Sequence, residues 1–211
     1  MTSPRAPVPR RFTEAGGFLV GLSLLVVTAF WVHDGGVHHS AAGGWTAVHA
    51  AGRLAGLWSA DLLLVQTLLL ARIPVVVRAF GAGQVPVWRR WAATRSLGLL
   101  AAHVALALAE RGWPAGPEML FALGGAGVLA AVSVTALRTV RRHALDLYAC
   151  FGVTLALPHQ LWAGSDLGPA VAHAYWWGLY LLSVGGVLAY RVVRPAWRSR
   201  RALAGRLGQY R

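Results

Sequence analysis

The sequence is poor in cysteine, lysine and acidic residues. Of its 211 residues one is a cysteine, Cys150, all 20 basic residues are arginine, and only 7 are acidic. A single cysteine excludes an intramolecular disulfide and a multi-cysteine metal or iron–sulfur site. Charged residues make up 13% of the chain, against about 25% in a typical soluble domain. The composition therefore argues against an ordinary soluble protein.

What the chain has instead is long apolar runs and a net charge of +13, with 56% hydrophobic residues and a mean hydropathy of +0.53. Basic residues that bind nucleic acid lie on a wet, folded surface. Here they form short clusters between apolar runs, so we predict a lipid bilayer and no nucleic acid as the partner. The length allows one domain and leaves no room for a soluble flavin or nucleotide domain.

Six windows approach the roughly 20 apolar residues that a spanning helix needs. They lie at 16–32, 46–71, 91–109, 117–137, 144–163 and 172–193. The sequence predicts an all-α integral membrane protein, with a six-transmembrane-helix bundle over residues 16–193. A basic N-terminal segment, residues 1–15, and an Arg-rich tail, residues 194–211, flank it.

The arginines predict the orientation of this bundle, because positive residues are retained on the cytoplasmic side. With these spans, 17 of the 20 arginines fall on one side of the membrane. Of the others, Arg111 lies on the opposite side, and Arg53 and Arg95 lie within spans. Both termini are therefore predicted to be cytoplasmic, in a multi-pass protein of the plasma (inner) membrane.

Two of the eight histidines, His103 and His159, lie deep within predicted spans, where an ionisable group is a functional hypothesis by default. They follow the inner ends of the third and fifth spans by 12 and 15 residues. At a rise of about 1.5 Å per residue, both imidazoles are roughly 18 to 22 Å from the cytoplasmic edge. The sequence thus predicts two histidines at nearly one level, in the outer half of the bundle.

Two neutral imidazoles that face each other across a helical bundle are what a b-type haem needs. Two axial histidines hold the iron six-coordinate, which favours electron transfer over oxygen binding. The alternative is two unrelated buried histidines, each bonded to a carbonyl. The equal depth favours haem.

The remaining polar residues of the outer half have two interpretations each. Arg53 is a candidate partner of a haem propionate, or it pairs with Asp61. His49, 4 residues earlier, lines the outer haem pocket or belongs to a wet loop. The other histidines near the outer face form a metal-binding cluster or, as we favour, a solvated Gly- and His-rich loop: His33, His38, His39 and His173.

Several short stretches together resemble the ferric reductase-like transmembrane domain, over about residues 50 to 190. They are Gly52-Arg53-Leu54-Ala55-Gly56-Leu57, Ala60-Asp61-Leu62-Leu63-Leu64-Val65-Gln66, Arg78-Ala79-Phe80-Gly81, Leu100-Ala101-Ala102-His103 and Leu157-Pro158-His159-Gln160. The resemblance implies six helices and two stacked haems, with two histidine ligands on the third helix and two on the fifth. His103 and His159 correspond to the ligands of the outer haem.

The chain departs from that family at both ligand positions of the inner haem, where it has Arg89 and Asp146. We expect one haem b, with Arg89 and Asp146, helped by Arg95 or Asp61, filling part of the vacated inner site. An Arg–Asp pair can compensate its own charge. His143 is a conceivable substitute ligand, although its neighbouring arginines favour a solvated or phosphate-facing position.

These patterns predict a membrane b-type cytochrome, ferric reductase-like, that transfers single electrons within or across the membrane. Without a flavin domain it needs a separate electron donor: a reductase, quinol in the bilayer, or a partner subunit. Nothing in the sequence identifies a substrate or a catalysed reaction. The alternative is a haem-free structural or regulatory membrane subunit that retains the bundle.

Overall fold

The structure is a computed structural model that describes residues 10–111, 116–138, 145–163 and 170–197. These residues form helices and no strand, so the all-α prediction is confirmed for them. The helices are α1 (Arg10–His33), α2 (Gly36–Ala41), α3 (Gly44–Ala71), α4 (Pro74–Phe80), α5 (Val85–Arg111), α6 (Pro117–Arg138), α7 (Leu145–Ala163) and α8 (Ala170–Tyr180).

The last helix widens beyond its α-helical part. After α8, π-helical turns Leu181–Gly185 and Ala189–Val193 flank a single α turn, Gly186–Leu188. The helical backbone continues to Trp197, so that the whole span Ala170–Trp197 has 28 residues. Most of the Arg-rich tail predicted at 194–211 lies outside the described residues.

Four helices are long and apolar enough to cross a bilayer, which indicates a multi-pass membrane protein. They are Ala15–His33, Gly44–Ala71, Val85–Ala109 and Ala170–Trp197, and they match the first, second, third and sixth predicted spans. The first helix begins at Arg10, inside the segment predicted as an N-terminal extension.

The other two predicted spans, 117–137 and 144–163, are helical as α6 and α7 but do not reach that length of apolar sequence. Among the described residues, their apolar stretches are Leu120–Thr135 and Leu147–Leu157. Of the six predicted spans, four therefore meet the criterion within the described residues.

Two short helices, α2 and α4, occupy connections that the sequence predicted as loops. Gly35, at φ 80°, directly precedes α2, and Gly43, at φ 71°, directly precedes α3, whose first residue, Gly44, has φ 54°. Such left-handed angles cost glycine little because it has no Cβ. Pro74 occupies the first turn of α4, where its missing N–H leaves no helical hydrogen bond unmade.

The core lies around α3, which contacts α1, α5, α7 and the last helix. One cluster joins five helices through Val27, Leu64, Leu129, Val153 and Trp176, each at most 6% exposed. Other large apolar side chains face outward, as expected for lipid contact: Phe18, Leu120, Val171 and Leu181. The core thus places residues of α3 between those of α5 and α7.

Helices α6 and α7 form a close antiparallel pair through small residues. A Cβ placed on Gly125 would lie 2.9 Å from the backbone nitrogen of Ala156, and one on Gly152 would lie 2.9 Å from Leu129. Both distances are too short for a real side chain, so only glycine permits this approach, as is typical of membrane helix crossings. The contact fixes α7, which carries His159, against α6.

Candidate functional site

The best-defined pair of chemically active side chains is His103 on α5 and His159 on α7. Their imidazole rings have centroids 6.4 Å apart and planes inclined by 57°. Both residues are partly buried. The fold therefore brings together, from two helices, the two histidines that the depth count set at one level.

The backbone of α3 orients the His103 ring. Its Nδ1 lies 2.8 Å from the carbonyl oxygen of Gly52, and a Cβ on Gly56 would lie 2.7 Å from the same Nδ1. The ring thus lies directly on the helix, in space left by the missing side chain of Gly56. Because Nδ1–H donates to the carbonyl, the lone pair is on Nε2, the arrangement found in metal-binding histidines.

The spacing of the two rings fits two axial ligands on one metal. A metal–imidazole bond is about 2.0 Å long and the ligating nitrogen is roughly 1.1 Å from the ring centre, so opposed imidazoles on one ion would have centroids about 6.2 Å apart. The 6.4 Å between the centroids of His103 and His159 agrees with this value. The two histidines, with Gly52 behind one of them, fit the ligand set of haem b.

Arg53, the residue after Gly52, pairs with Asp34 across the end of α1. The Arg53 guanidinium donates to the Asp34 carboxylate, and the two side chains are 14% and 29% exposed. Asp34 is therefore the carboxylate seen beside Arg53, whereas Asp61 accepts a hydrogen bond from Ser23. His49 lies one helical turn before Arg53 and is partly buried.

The positions that correspond to the missing inner ligands are Arg89 on α5 and Asp146 on α7. Arg89 is partly buried, and its Nε has no hydrogen-bond partner among the described residues. The side chain of Asp146 lies outside the described residues, as does His143, so their expected roles stay predictions. The two expected helpers lie elsewhere: Asp61 binds Ser23 and Arg95 is exposed.

A polar network that the sequence analysis missed occupies the buried space between α3, α5 and α6. Gln66 donates to the Ser133 hydroxyl at 3.2 Å and accepts from Ser96 at 3.3 Å. Ser59 donates to the carbonyl of Ser96 at 3.0 Å. All four side chains are at most 2% exposed. Gln66 within an apolar run could have predicted this network, because a buried amide needs hydrogen-bond partners.

A second polar group links α1, α3 and α8. Ser23 bridges the Asp61 carboxylate, at 2.6 Å, and the Tyr175 hydroxyl, at 2.7 Å. Asp61 is 1% exposed. Its position in an apolar run was noted in the sequence, but neither hydroxyl partner was predicted.

The outer histidines do not assemble into a metal centre in the part of the chain that the structure describes. Within those residues no group of three or more His, Cys, Asp or Glu side chains could hold a metal ion. His38 and His39 contact each other, with ring centroids 6.0 Å apart. The pair His103 and His159 has only two side chains, so it is not one of the groups of three or more to which this statement applies.

The chain matches no protein-family model, no curated protein and no solved structure. Its function has to be inferred from its own residues. The histidine pair between α5 and α7 is the arrangement with the most specific chemistry.

Proposed function

We propose that this protein is an integral membrane b-type cytochrome that holds one haem b between His103 and His159 and passes single electrons. The observation that carries the proposal is the 6.4 Å between the two ring centroids, which suits two axial imidazoles on one iron. The ring contact alone would also suit two stacked histidines. The bond from His103 Nδ1 to Gly52 favours ligation, because it leaves Nε2 as the acceptor nitrogen.

A haem held by these residues would supply a one-electron carrier. The chain's own residues hold and orient it. Gly52 and Gly56 fix the His103 ring, and the α6–α7 contact at Gly125 fixes the helix that carries His159. Arg53, adjacent to Gly52, has a charged group suited to a propionate while it also pairs with Asp34. His49, one turn away, completes that end of the pocket.

The proposal includes one haem in the outer half and none in the inner half. In support, Gln66 and its serine partners fill buried space between α3, α5 and α6 with satisfied hydrogen bonds. The chain also has Arg89 at the position where the resembling family has a histidine. Arg89 and Asp146 are proposed to fill part of the vacated inner site.

We further propose that α6 and α7 cross the bilayer together with the four long spans, which makes six crossings in the plasma (inner) membrane with both termini cytoplasmic. Arg72, Arg78 and Arg90 support this orientation, since all three are exposed around the connection from α3 to α5. The electron donor is a separate partner: a reductase, quinol in the bilayer, or another subunit. The closest functional description is a ferric reductase-like electron-transfer component.

An absorbance spectrum of the purified protein in detergent tests the cytochrome. We expect a Soret band, and a pyridine haemochrome assay that gives one haem per chain. His103→Ala and His159→Ala should each abolish the band, whereas His38→Ala, at an exposed histidine, should leave it unchanged. A folded but colourless protein would overturn the proposal in favour of the haem-free subunit. Two haems per chain would overturn the single-haem assignment.

A further inference from the structure

Asp61 is a carboxylate buried in the middle of a span without a described cation beside it. It lies on α3, ten residues before the helix ends at Ala71, and is 1% exposed. An isolated carboxylate is costly in an apolar interior unless it binds a proton or pairs with a cation. The proposed haem site does not use Asp61, so its presence needs another explanation.

The hydrogen bonds of Asp61 run through Ser23 to Tyr175. Ser23 Oγ lies 2.6 Å from Asp61 Oδ1 and 2.7 Å from the Tyr175 hydroxyl. That hydroxyl also lies 3.4 Å from the carbonyl oxygen of Ser23. The second carboxylate oxygen, Oδ2, is buried and has no hydrogen-bond partner among the described residues.

This chain of oxygens suits both protonation states of Asp61. With Asp61 ionised, Tyr175 donates to Ser23 Oγ, which donates to the carboxylate. With Asp61 protonated, Asp61 donates to Ser23 Oγ, which donates to Tyr175, and the Tyr175 hydroxyl turns to the Ser23 carbonyl. Rotation of two hydroxyl groups interconverts the two patterns, because hydroxyls both donate and accept. No heavy atom has to move.

The elements packed around Asp61 contribute few other ionisable groups. From α8, Tyr175 is in the hydrogen-bond chain and Tyr180 packs in the neighbouring core cluster. From α1 the facing polar group is Ser23, while α7 contributes Val153 and Leu157 to that cluster. On the α5 side of α3, Ser96 accepts from Ser59. Among the described residues, Asp61 has no cation as a partner.

We propose that Asp61 is an intramembrane proton-exchange site that responds to the redox state of the haem. This rests on the proposed cytochrome function. If an external one-electron donor reduced a haem held by His103 and His159, the added negative charge would favour protonation of Asp61: the carboxylate would take one proton from water, leaving hydroxide, and form an O–H bond. When an acceptor removed the electron, that bond would break and the proton would return to water. Asp61 lies five residues from Gly56, the contact of His103, or about 7.5 Å along α3, near enough for the two charges to interact through a medium of low polarity.

Redox titration of the haem at a series of pH values tests the coupling. The wild-type midpoint potential should fall with rising pH, with a slope of at most about 59 mV per tenfold change in proton concentration. Asp61→Asn is a neutral substitute for the protonated acid, so its midpoint should remain near the wild-type acid plateau at every pH. A variant that keeps the wild-type slope would overturn the proposal.

Tyr175→Phe and Ser23→Ala provide a second pair of variants, which keep the carboxylate and interrupt its hydrogen-bond chain. Both should shift the pH range over which the midpoint potential changes, because each interrupts the hydrogen bonds that stabilise the ionised Asp61 carboxylate. Tyr148→Phe, at an exposed tyrosine of α7, is the matched control and should leave the titration unchanged. Equal titrations for Tyr175→Phe, Ser23→Ala and the wild type would contradict the assigned chain.

Infrared spectroscopy separates failure of this inference from failure of the cytochrome proposal, because it needs no haem. The carboxylic acid C=O band of Asp61 should be present at acid pH, disappear at alkaline pH and be missing in Asp61→Asn. A colourless protein in which the band still titrates would overturn the cytochrome and the redox coupling, and would leave Asp61 as a proton-exchange site. A haem-containing protein in which the band never changes would overturn the proton site and leave the cytochrome.

Discussion

The carbonyl oxygen of Gly52 on α3 lies 2.8 Å from Nδ1 of His103 on α5. A main-chain atom of one helix therefore sets the orientation of a side chain on another. A backbone acceptor cannot be removed by a side-chain substitution at its own position. The ring is best disturbed through Gly56, which lies against it one turn further along α3.

Gly56→Ala should displace the His103 ring. The added Cβ would lie 2.7 Å from Nδ1, and such overpacking costs about 1 to 3 kcal/mol. Disturbance of the groups that orient a metal ligand typically weakens metal binding by about 10- to 100-fold. We expect faster haem loss to apomyoglobin in a transfer assay. Gly98→Ala on α5, where nothing lies within 4 Å of the new Cβ, should retain haem like the wild type.

Arg53 and Asp34 should affect the haem midpoint potential in opposite directions. Reduction adds negative charge, so a nearby cation favours it and a nearby anion opposes it. Arg53→Gln should lower the potential and Asp34→Asn should raise it, each by a few tens of mV, where about 59 mV is a tenfold change in the equilibrium. Spectroelectrochemical titration measures both. Shifts of the same sign would show that the variants act through altered packing and not through charge.

Gln66→Ala should destabilise the bundle by about 2 to 4 kcal/mol. The substitution opens a cavity and leaves the buried Ser133 hydroxyl without its amide partner. Gln66→Leu fills most of the space and should cost less than Gln66→Ala. Thermal unfolding in detergent micelles, followed by circular dichroism, compares them. Thr94→Ala, whose exposed hydroxyl binds only its own helix backbone, is expected to change the stability by no more than about 0.5 kcal/mol. A Gln66→Ala variant as stable as this control would contradict the network's role.

Gly125 and Gly127 should respond oppositely to the same substitution. Gly125→Ala would bring a Cβ to 2.9 Å from the Ala156 backbone nitrogen, whereas Gly127→Ala meets nothing within 4 Å. We expect the first to destabilise the protein by about 1 to 3 kcal/mol. The second should be neutral or stabilise the helix by up to about 1 kcal/mol, the difference in helix propensity. Unfolding in micelles checks this, and equal stabilities would show that α6 and α7 can separate without cost.

The helical spans could be predicted from the sequence because the length of an apolar run is a local property. The windows 16–32 and 46–71 lie within Ala15–His33 and Gly44–Ala71. The other two candidates, 117–137 and 144–163, are also helical, as α6 and α7.

The depth of a residue along a helix could be predicted by counting residues in the sequence. Its neighbours on other helices and its polar partners could not. Counting along the helices predicted His103 and His159 at one level, and their ring centroids lie 6.4 Å apart, but only the packing of α3 shows that Gly56 makes room for one ring. The sequence offered Asp61, 8 residues after Arg53, as its carboxylate partner, whereas the structure shows Asp34, 19 residues before it. Tyr175 is 152 residues from Ser23, a contact that no local pattern reports.

The polar contacts between α1 and α3 have a consequence for how the protein enters the membrane. Two of these contacts lie near the connection, Asp34 with Arg53 and Trp31 with Ala50, and two lie further from it, Thr28 with Trp58 and Ser23 with Asp61. Each becomes available as soon as α3 has been synthesised, because none needs a later part of the chain. The first two spans can therefore insert as one preassembled hairpin, with polar groups already shielded from lipid. The Tyr175 hydroxyl joins Ser23 last, when the final span closes on that hairpin.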